Sequence, residues 1–350
     1  MSGLSPEAEK AFAGLAEPGI LESLRDLVRQ RSLDCVQVEV TSRCLGRCSY
    51  CPHTVDAPCW NSRDMALETY ASLWSVMRCA ERVHLQGWGE PFLHPHFLDF
   101  AALARRAGCR VSTTTCGMIM DKDRAESIVA SGIDVVAFSL SGTDAATSSA
   151  RAGISFEKLD AAIMLLQAVR KQRLAVHLEV HIAYMLLASQ VEAIRRLPEL
   201  MEKWGAHAVV VSTMDYIPSA ELAGEAFLPH EREKIATARA VLKETGARIR
   251  AAGRGFYSSL PAEQPVGGCR ERAHRTVYVD ADGLLSPCIY LNVPTKGQGH
   301  PRVVFGSIAE KDGMAILAGA DCQAFRAATG GVHPPAACTA CPKRLEEFCA

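Results

Sequence analysis

Apolar residues recur along this chain with two alternating periods. Over residues 36–40, Val36, Val38 and Val40 point one way and Gln37 and Glu39 the other, the period of a strand with one buried face. Short apolar runs of the same kind lie at 82–86, 110–115, 134–140, 175–184 and 208–213. Between them, apolar residues return every three or four positions near 95–107, 121–132, 155–171, 188–204 and 229–245, which predicts helices. In the third of these the stripe is Phe156, Leu159, Ile163, Leu166 and Val169; in the fourth, Pro198 breaks the segment or opens its second half, and Gly205 is expected to end it. A further stripe of Ile20, Leu24, Leu27 and Val28 predicts a helix over 19–33. Six strand–helix units in series imply parallel strands joined by right-handed crossovers. Eight would close a TIM barrel; six predict an open, partial (β/α)6 barrel within an α/β fold.

The pattern changes near residue 250. Gly253, Gly255, Pro261, Pro265, Gly267 and Gly268 read as a linker. Apolar runs at 275–280 and 284–290, joined by Ala281-Asp282-Gly283, read as a β-hairpin, and a short helix is expected over 311–328. The expected organisation is an N-terminal helical extension over 1–34, the barrel over 35–250 and a small hairpin-and-helix domain over 251–350. A formal net charge of -1 gives no reason to expect a nucleic-acid surface. No run reaches the 18 or so apolar residues of a membrane span, and Met1–Pro18 lacks a signal-peptide layout, so a cytoplasmic protein is expected.

Cysteine changes the picture. The chain has 14, eight of them before residue 120 and six after residue 268. Without a secretion signal, a metal or cluster is a better reading than a disulfide framework. Cys44, Cys48 and Cys51 stand in a C-x3-C-x2-C spacing just after the first strand. A cubane iron–sulfur cluster takes one cysteine per iron, so three local ligands leave one iron open. A zinc site or free thiols are the alternatives. At the other end, Cys269 precedes the hairpin, Cys288 ends it, and Cys338 and Cys341 form a close pair. These four can enclose a second centre, with structural zinc as the competing occupant.

The first spacing, with Tyr50 before its last cysteine, resembles the signature of the radical S-adenosylmethionine (SAM) superfamily. That resemblance implies a partial barrel, a 4Fe–4S cluster on Cys44, Cys48 and Cys51, and SAM on the open iron. Gly87-Trp88-Gly89-Glu90-Pro91 resembles the family's GGEP motif with a Trp between the glycines. There backbone carbonyls and the Glu90 carboxylate would accept from the ammonium of SAM. Thr115-Cys116-Gly117 stands where the family often has Thr-Asn-Gly. Ser139-Leu140-Ser141-Gly142 resembles Ser-x-Asp-Gly, with Ser141 in place of Asp, and is followed by Arg151-Ala152-Gly153. Ser139 and Arg151 are thereby candidates for the ribose and carboxylate of SAM. The C-terminal cysteines resemble the auxiliary-cluster region called SPASM, or its shorter twitch form. This implies an auxiliary 4Fe–4S cluster on Cys269, Cys288, Cys338 and Cys341, with Cys322 and Cys349 spare.

One feature comes from the residues alone. In 176–182, alternation places His177, Glu179 and His181 on one face and Val176, Leu178, Val180 and Ile182 on the other. By the same alternation Gln37, Glu39, His84, Gln86, Ser112 and Thr114 join a polar barrel lumen suited to a substrate. His177, Glu179, His181 and Tyr290 are the candidate catalytic proton acceptors. H-x-E-x-H could instead ligate a metal, or serve as hydrogen-bonded core. The expected function is a radical SAM oxidoreductase or maturase: a 5′-deoxyadenosyl radical abstracts hydrogen from substrate, and the auxiliary cluster accepts or relays an electron. A flavodoxin- or ferredoxin-type reductant would supply the first electron. Only 43 residues precede Cys44, fewer than an added peptide-recognition domain needs, which tilts the substrate toward a small molecule or a separately delivered peptide. The reading from another class is a non-catalytic iron–sulfur or zinc protein that carries electrons or organises partners.

Overall fold

The computed structural model describes residues 4–15, 19, 31–261, 268–294, 300–331, 333–339, 341–344 and 346–348. The helix expected over 19–33 lies, from 20 to 30, outside the described residues, and Leu33 already opens the first strand.

Seven strands run in series, β1 (Leu33–Val38), β2 (Ala80–Leu85), β3 (Arg110–Thr115), β4 (Val135–Leu140), β5 (Glu179–Leu186), β6 (Ala208–Thr213) and β7 (Gly255–Pro261), each parallel to the next. Then come β8 (Thr276–Val279), β9 (Leu284–Ser286), β10 (Gly306–Ser307) and β11 (Glu346–Phe348). The sheet order is β10-β9-β8-β1-β2-β3-β4-β5-β6-β7-β11, with antiparallel pairing only at the two edges. The result is a mostly parallel, open barrel whose crossover helices cover the outer face.

Alternation decides which face is which. Val36, Val38, Val83, Leu85, Val111, Val136, Phe138, Val180 and Ile182 are buried against Phe100, Leu103, Ile128, Leu159, Ile163 and Leu166 of the helices Phe97–Arg106, Lys122–Ser131 and Phe156–Gln172. Their neighbours Gln37, His84, Ser112 and Glu179 share one register row on the inner face. Gly205 ends the helix Leu197–Trp204, as expected, in the left-handed region at φ 61°, and Gly132 does the same for Lys122–Ser131 at φ 77°.

The structure departs from the sequence expectations in four places. Part of the expected linker is β7, because Phe256, Ser258 and Leu260 alternate inward and Gly255 allows the close approach of Ala208. The hairpin is present, but β8 pairs parallel with β1, so it continues the barrel sheet. The helix expected over 311–328 is two, Gly313–Leu317 and Ala320–Thr329. The fifth strand starts at Glu179 rather than near 175, because Leu174 sits in the left-handed region (φ 51°) and turns the chain before it.

Candidate active site and cysteine centres

The ends of the strands place the chemistry. The loop after β1 carries Cys44, Cys48 and Cys51. It is pinned by a two-residue ladder in which Cys48 faces Arg151 and by the Ser49 amide, which donates to the Ala150 carbonyl at 2.9 Å. Cys51 is the N-cap of the helix Pro52–Val55. The three thiols are free and half-buried. Burial pushes Cys44 up, and Cys51 up to about 12, with the neighbouring cysteine charges acting the same way. Three thiolates so placed would repel each other in a poorly hydrated loop. A cationic iron centre removes that cost by replacing the protons, so the donor set fits a cluster.

The Gly87–Pro91 turn lies against this loop. A Cβ on Gly89 would stand 2.1 Å from the Thr41 carbonyl oxygen, and one on Gly87 2.3 Å from the Glu39 carboxylate. The glycines are therefore required by the end of β1 itself. Glu39, 3 % exposed, accepts from the Trp88 amide at 2.6 Å and from the Tyr278 hydroxyl at 3.1 Å, tying β1, the turn and β8 together. Burial pushes its carboxyl up to about 7.

The Glu90 carboxylate accepts from the Thr115 hydroxyl (2.7 Å), the Cys116 amide (2.6 Å) and the Phe92 amide (3.3 Å). These bonds hold the turn on the end of β3 and leave the carboxylate capacity for one further donor. Thr115 is the buried partner in that bond, and Pro91 opens the following 3-10 turn.

Arg151 is buried, with its guanidinium donating to the Ser139 carbonyl and lying beside Tyr50 and Cys48. Burial raises Tyr50 well above its ordinary range, opposed by the Arg151 charge. Arg151 Nε, Ser141 Oγ and the Tyr184 hydroxyl are buried without a hydrogen-bond partner. Orphaned polar atoms around the cysteine loop suit a polar ligand, since each costs about 1–3 kcal/mol left unpaired.

The lumen carries part of the expected set. Glu179 and His181 face inward, with His181 Nε2 2.7 Å from Glu179 Oε2. They sit at the start of β5, at the floor of the barrel, opposite the mouth where the cysteine loop lies. His84 pairs with Ser112 Oγ at 2.8 Å, and burial pushes its imidazole down to about 4. His177 is a correction: it precedes β5, is exposed, and lines an outer groove with Glu126, Arg173 and Leu174. The H-x-E-x-H triad therefore does not assemble in the lumen, as a substrate wall or as a metal site.

The second cysteine set gathers from three segments. Cys288 feels Cys269 and Cys341, and Cys338 and Cys341 both feel Cys269. Burial raises all four thiols, Cys338 to about 11 and Cys341 to about 12. Among the described residues no three of His, Cys, Asp and Glu converge as ligands of a single ion. A cubane, with one thiolate per iron, spreads its ligands wider, and the four free thiols suit it. Cys322 is 1 % exposed within the hydrophobic core, so it packs; Cys349 lies outside the described residues.

Tyr290, two residues past Cys288, stands between the centres. Its hydroxyl donates to Asp215 at 2.9 Å, and its ring meets Trp88 edge-on at 6.1 Å. Trp88 meets Trp60 at 6.3 Å, and Trp60 meets His53 at 5.3 Å. An aromatic wall thus runs from the residues beside Cys51 to those beside Cys288, with the Trp60 and Trp88 indole N–H groups unpartnered. Trp60, Asp215 and Lys343 were not anticipated from the sequence. Asp215 alone carried a usable signal, its place just past the end of β6, where parallel sheets carry function.

Known proteins match this arrangement. The radical SAM superfamily profile matches residues 38–187, and SPASM, an iron–sulfur cluster-binding domain, matches 269–342. The PqqA peptide cyclase of Ruegeria pomeroyi is 24 % identical over 320 residues, 89 % of this chain and 80 % of that protein. The tungsten-containing aldehyde ferredoxin oxidoreductase cofactor-modifying protein of Pyrococcus furiosus is 24 % identical over 193 residues, 51 % of this chain; the match spans half of that relative. Among solved structures, Streptococcus suis SuiB bound to S-adenosylmethionine superposes with a TM-score of 0.65 at 13 % identity, covering 89 % of this chain and 71 % of SuiB. The anSMEcpe protein with bound AdoMet gives 0.64 at 15 % identity, covering 85 % and 84 %.

Proposed function

Because the chain belongs to the radical SAM superfamily and carries a C-terminal SPASM domain, we propose that it is a maturase that oxidises or cross-links a peptide substrate by hydrogen abstraction. Cys44, Cys48 and Cys51 would hold a cluster whose chemistry is one-electron reduction of SAM, and Cys269, Cys288, Cys338 and Cys341 would hold a second that could accept the electron a substrate radical loses on oxidation. A flavodoxin- or ferredoxin-type protein is the proposed donor.

The observation that carries this reading is the aromatic wall from His53 through Trp60 and Trp88 to Tyr290. It runs from the residues beside Cys51 to those beside Cys288, which supports a reading in which the two cysteine sets serve one reaction. The chain's own residues do the rest. Arg151 and the Gly87–Gly89 backbone hold the charged ends of SAM. Trp60 and Trp88 offer N–H donors and apolar surface to the substrate. Tyr290, hydrogen-bonded to Asp215, lies next to the reacting space as the proton-handling candidate. The peptide class is favoured over a small molecule because the match to the PqqA peptide cyclase runs nearly the whole chain; SuiB has also been solved with its precursor peptide SuiA. A small molecule is the second reading, favoured by the match to the Pyrococcus furiosus cofactor-modifying protein.

The test is anaerobic reconstitution with iron and sulfide, followed by SAM and dithionite. Formation of 5′-deoxyadenosine supports the first step. Deuterium carried into it from a labelled candidate peptide, and not from small molecules, supports the substrate class. Cluster assembly without SAM cleavage would leave the electron-carrier reading instead.

A further inference from the structure

Two side chains, Tyr290 and Lys343, converge on the Asp215 carboxylate at the barrel mouth, and Glu271 joins them through Lys343; each of the three stands two positions past an auxiliary cysteine. Glu271 follows Cys269, Tyr290 follows Cys288 and Lys343 follows Cys341. Asp215 accepts from the Tyr290 hydroxyl at 2.9 Å and pairs with the Lys343 ammonium at 2.8 Å. Lys343 also reaches Glu271 at 3.4 Å and lies 5.9 Å from the Tyr290 ring centroid. The Asp215 and Lys343 side chains are 3 % and 8 % exposed, and Asp215 Oδ1 has no partner.

A buried charge cluster is a poor fastening. Desolvation costs several kcal/mol per ion, and apolar packing of the same volume would hold the two regions at least as well. These charges stand beside the thiols: Glu271 and Lys343 each lie two residues from a proposed ligand, Cys269 and Cys341, and Asp215 is held against both Lys343 and Tyr290, two residues past Cys288. Reduction adds one electron's charge to a cluster, so a fixed cation nearby favours the reduced form and a fixed anion opposes it.

We propose that Asp215, Glu271 and Lys343 set the reduction potential of the centre held by Cys269, Cys288, Cys338 and Cys341, the carboxylates lowering it and Lys343 raising it. Asp215, just past the end of β6, ties that centre to the barrel through Tyr290 and Lys343. This rests on the reading of those four cysteines as cluster ligands.

The test uses the full chain with Cys44, Cys48 and Cys51 changed to Ala, so that only the auxiliary centre is loaded. It is reconstituted anaerobically and titrated with dithionite and mediators under electron paramagnetic resonance. Lys343→Met is expected to lower the midpoint potential, Asp215→Asn to raise it, and the double variant to fall between them; Lys343→Arg should stay near the parent. Iron is counted for every variant. If the parent holds no iron, the ligand reading itself fails. If the parent and variants all hold about four irons and the midpoints are unchanged, or both single variants shift the same way, the ligand reading stands and the tuning proposal is overturned. Should Asp215→Asn not hold its iron, the Lys343→Met and Lys343→Arg pair decides alone.

Discussion

Cys44, Cys48 and Cys51 come from one eight-residue loop, whereas Cys269, Cys288 and the Cys338, Cys341 pair come from three separated segments. The loop gathers its thiols locally, with Cys51 capping Pro52–Val55, and is held in place by the Cys48–Arg151 ladder and the close approach of Gly89 to Thr41. It offers three thiols, and the polar atoms left unpaired around it belong to Arg151, Ser141 and Tyr184. The second set offers four thiols and depends on long-range structure, the parallel pairing of β8 with β1 and the Asp215 cluster. Three donors leave a place for an exchangeable ligand; four do not. On the proposed reading, that difference gives bond-breaking chemistry to the first centre and electron handling to the second.

The largest effect that could break this comparison is expected from Cys48→Ala. It should reduce 5′-deoxyadenosine formation to background while about four irons remain on the second set, read by liquid chromatography and iron analysis. Loss of all iron would mean that the two centres are not independent. Next is Gly89→Ala. The new methyl would stand 2.1 Å from the Thr41 carbonyl, and overpacking against backbone should cost about 3 kcal/mol in urea unfolding of the iron-free protein. The same variant should lose SAM binding and keep the second centre.

The smallest effect is on pH dependence. Glu39 is raised from its ordinary 4.5 to about 7, so its contribution to stability is present below 4.5 and lost as pH rises through 7. His84 is lowered from 6.5 to about 4, so its contribution is present above 6.5 and lost as pH falls through 4. The two oppose each other between 4.5 and 6.5. Glu39→Gln should remove the falling limb, so stability of the iron-free protein rises with pH across that window by up to about 3 kcal/mol. A flat profile in that variant would show that the burial of these two groups is not what sets it.

Much of this was legible because it is local. The cysteine loop declares itself through spacing, the six strand–helix units through period, and the hairpin through Asp282-Gly283. What was hidden is long-range or conformational. Gly255 and Pro261 look like linker residues, yet they bound a strand because Ala208 needs a neighbour without a side chain. Val176 and Leu178 extend the alternation of β5, but the turn at Leu174 puts His177 outside the barrel. Glu90 reads as a ligand group from its motif, but its bonds to Thr115 and Cys116, across 25 and 26 residues, could not be read from sequence. Asp215 and Lys343 lie far apart in sequence, so no local pattern could announce the charge cluster they build.

The most direct test of two unlike centres is electron paramagnetic resonance of the reduced protein with and without SAM, on two variants that each keep one cysteine set. The spectrum from Cys44, Cys48 and Cys51 should change when SAM is added, and that from Cys269, Cys288, Cys338 and Cys341 should not. A SAM-dependent change at the second set, or none at the first, would contradict the account.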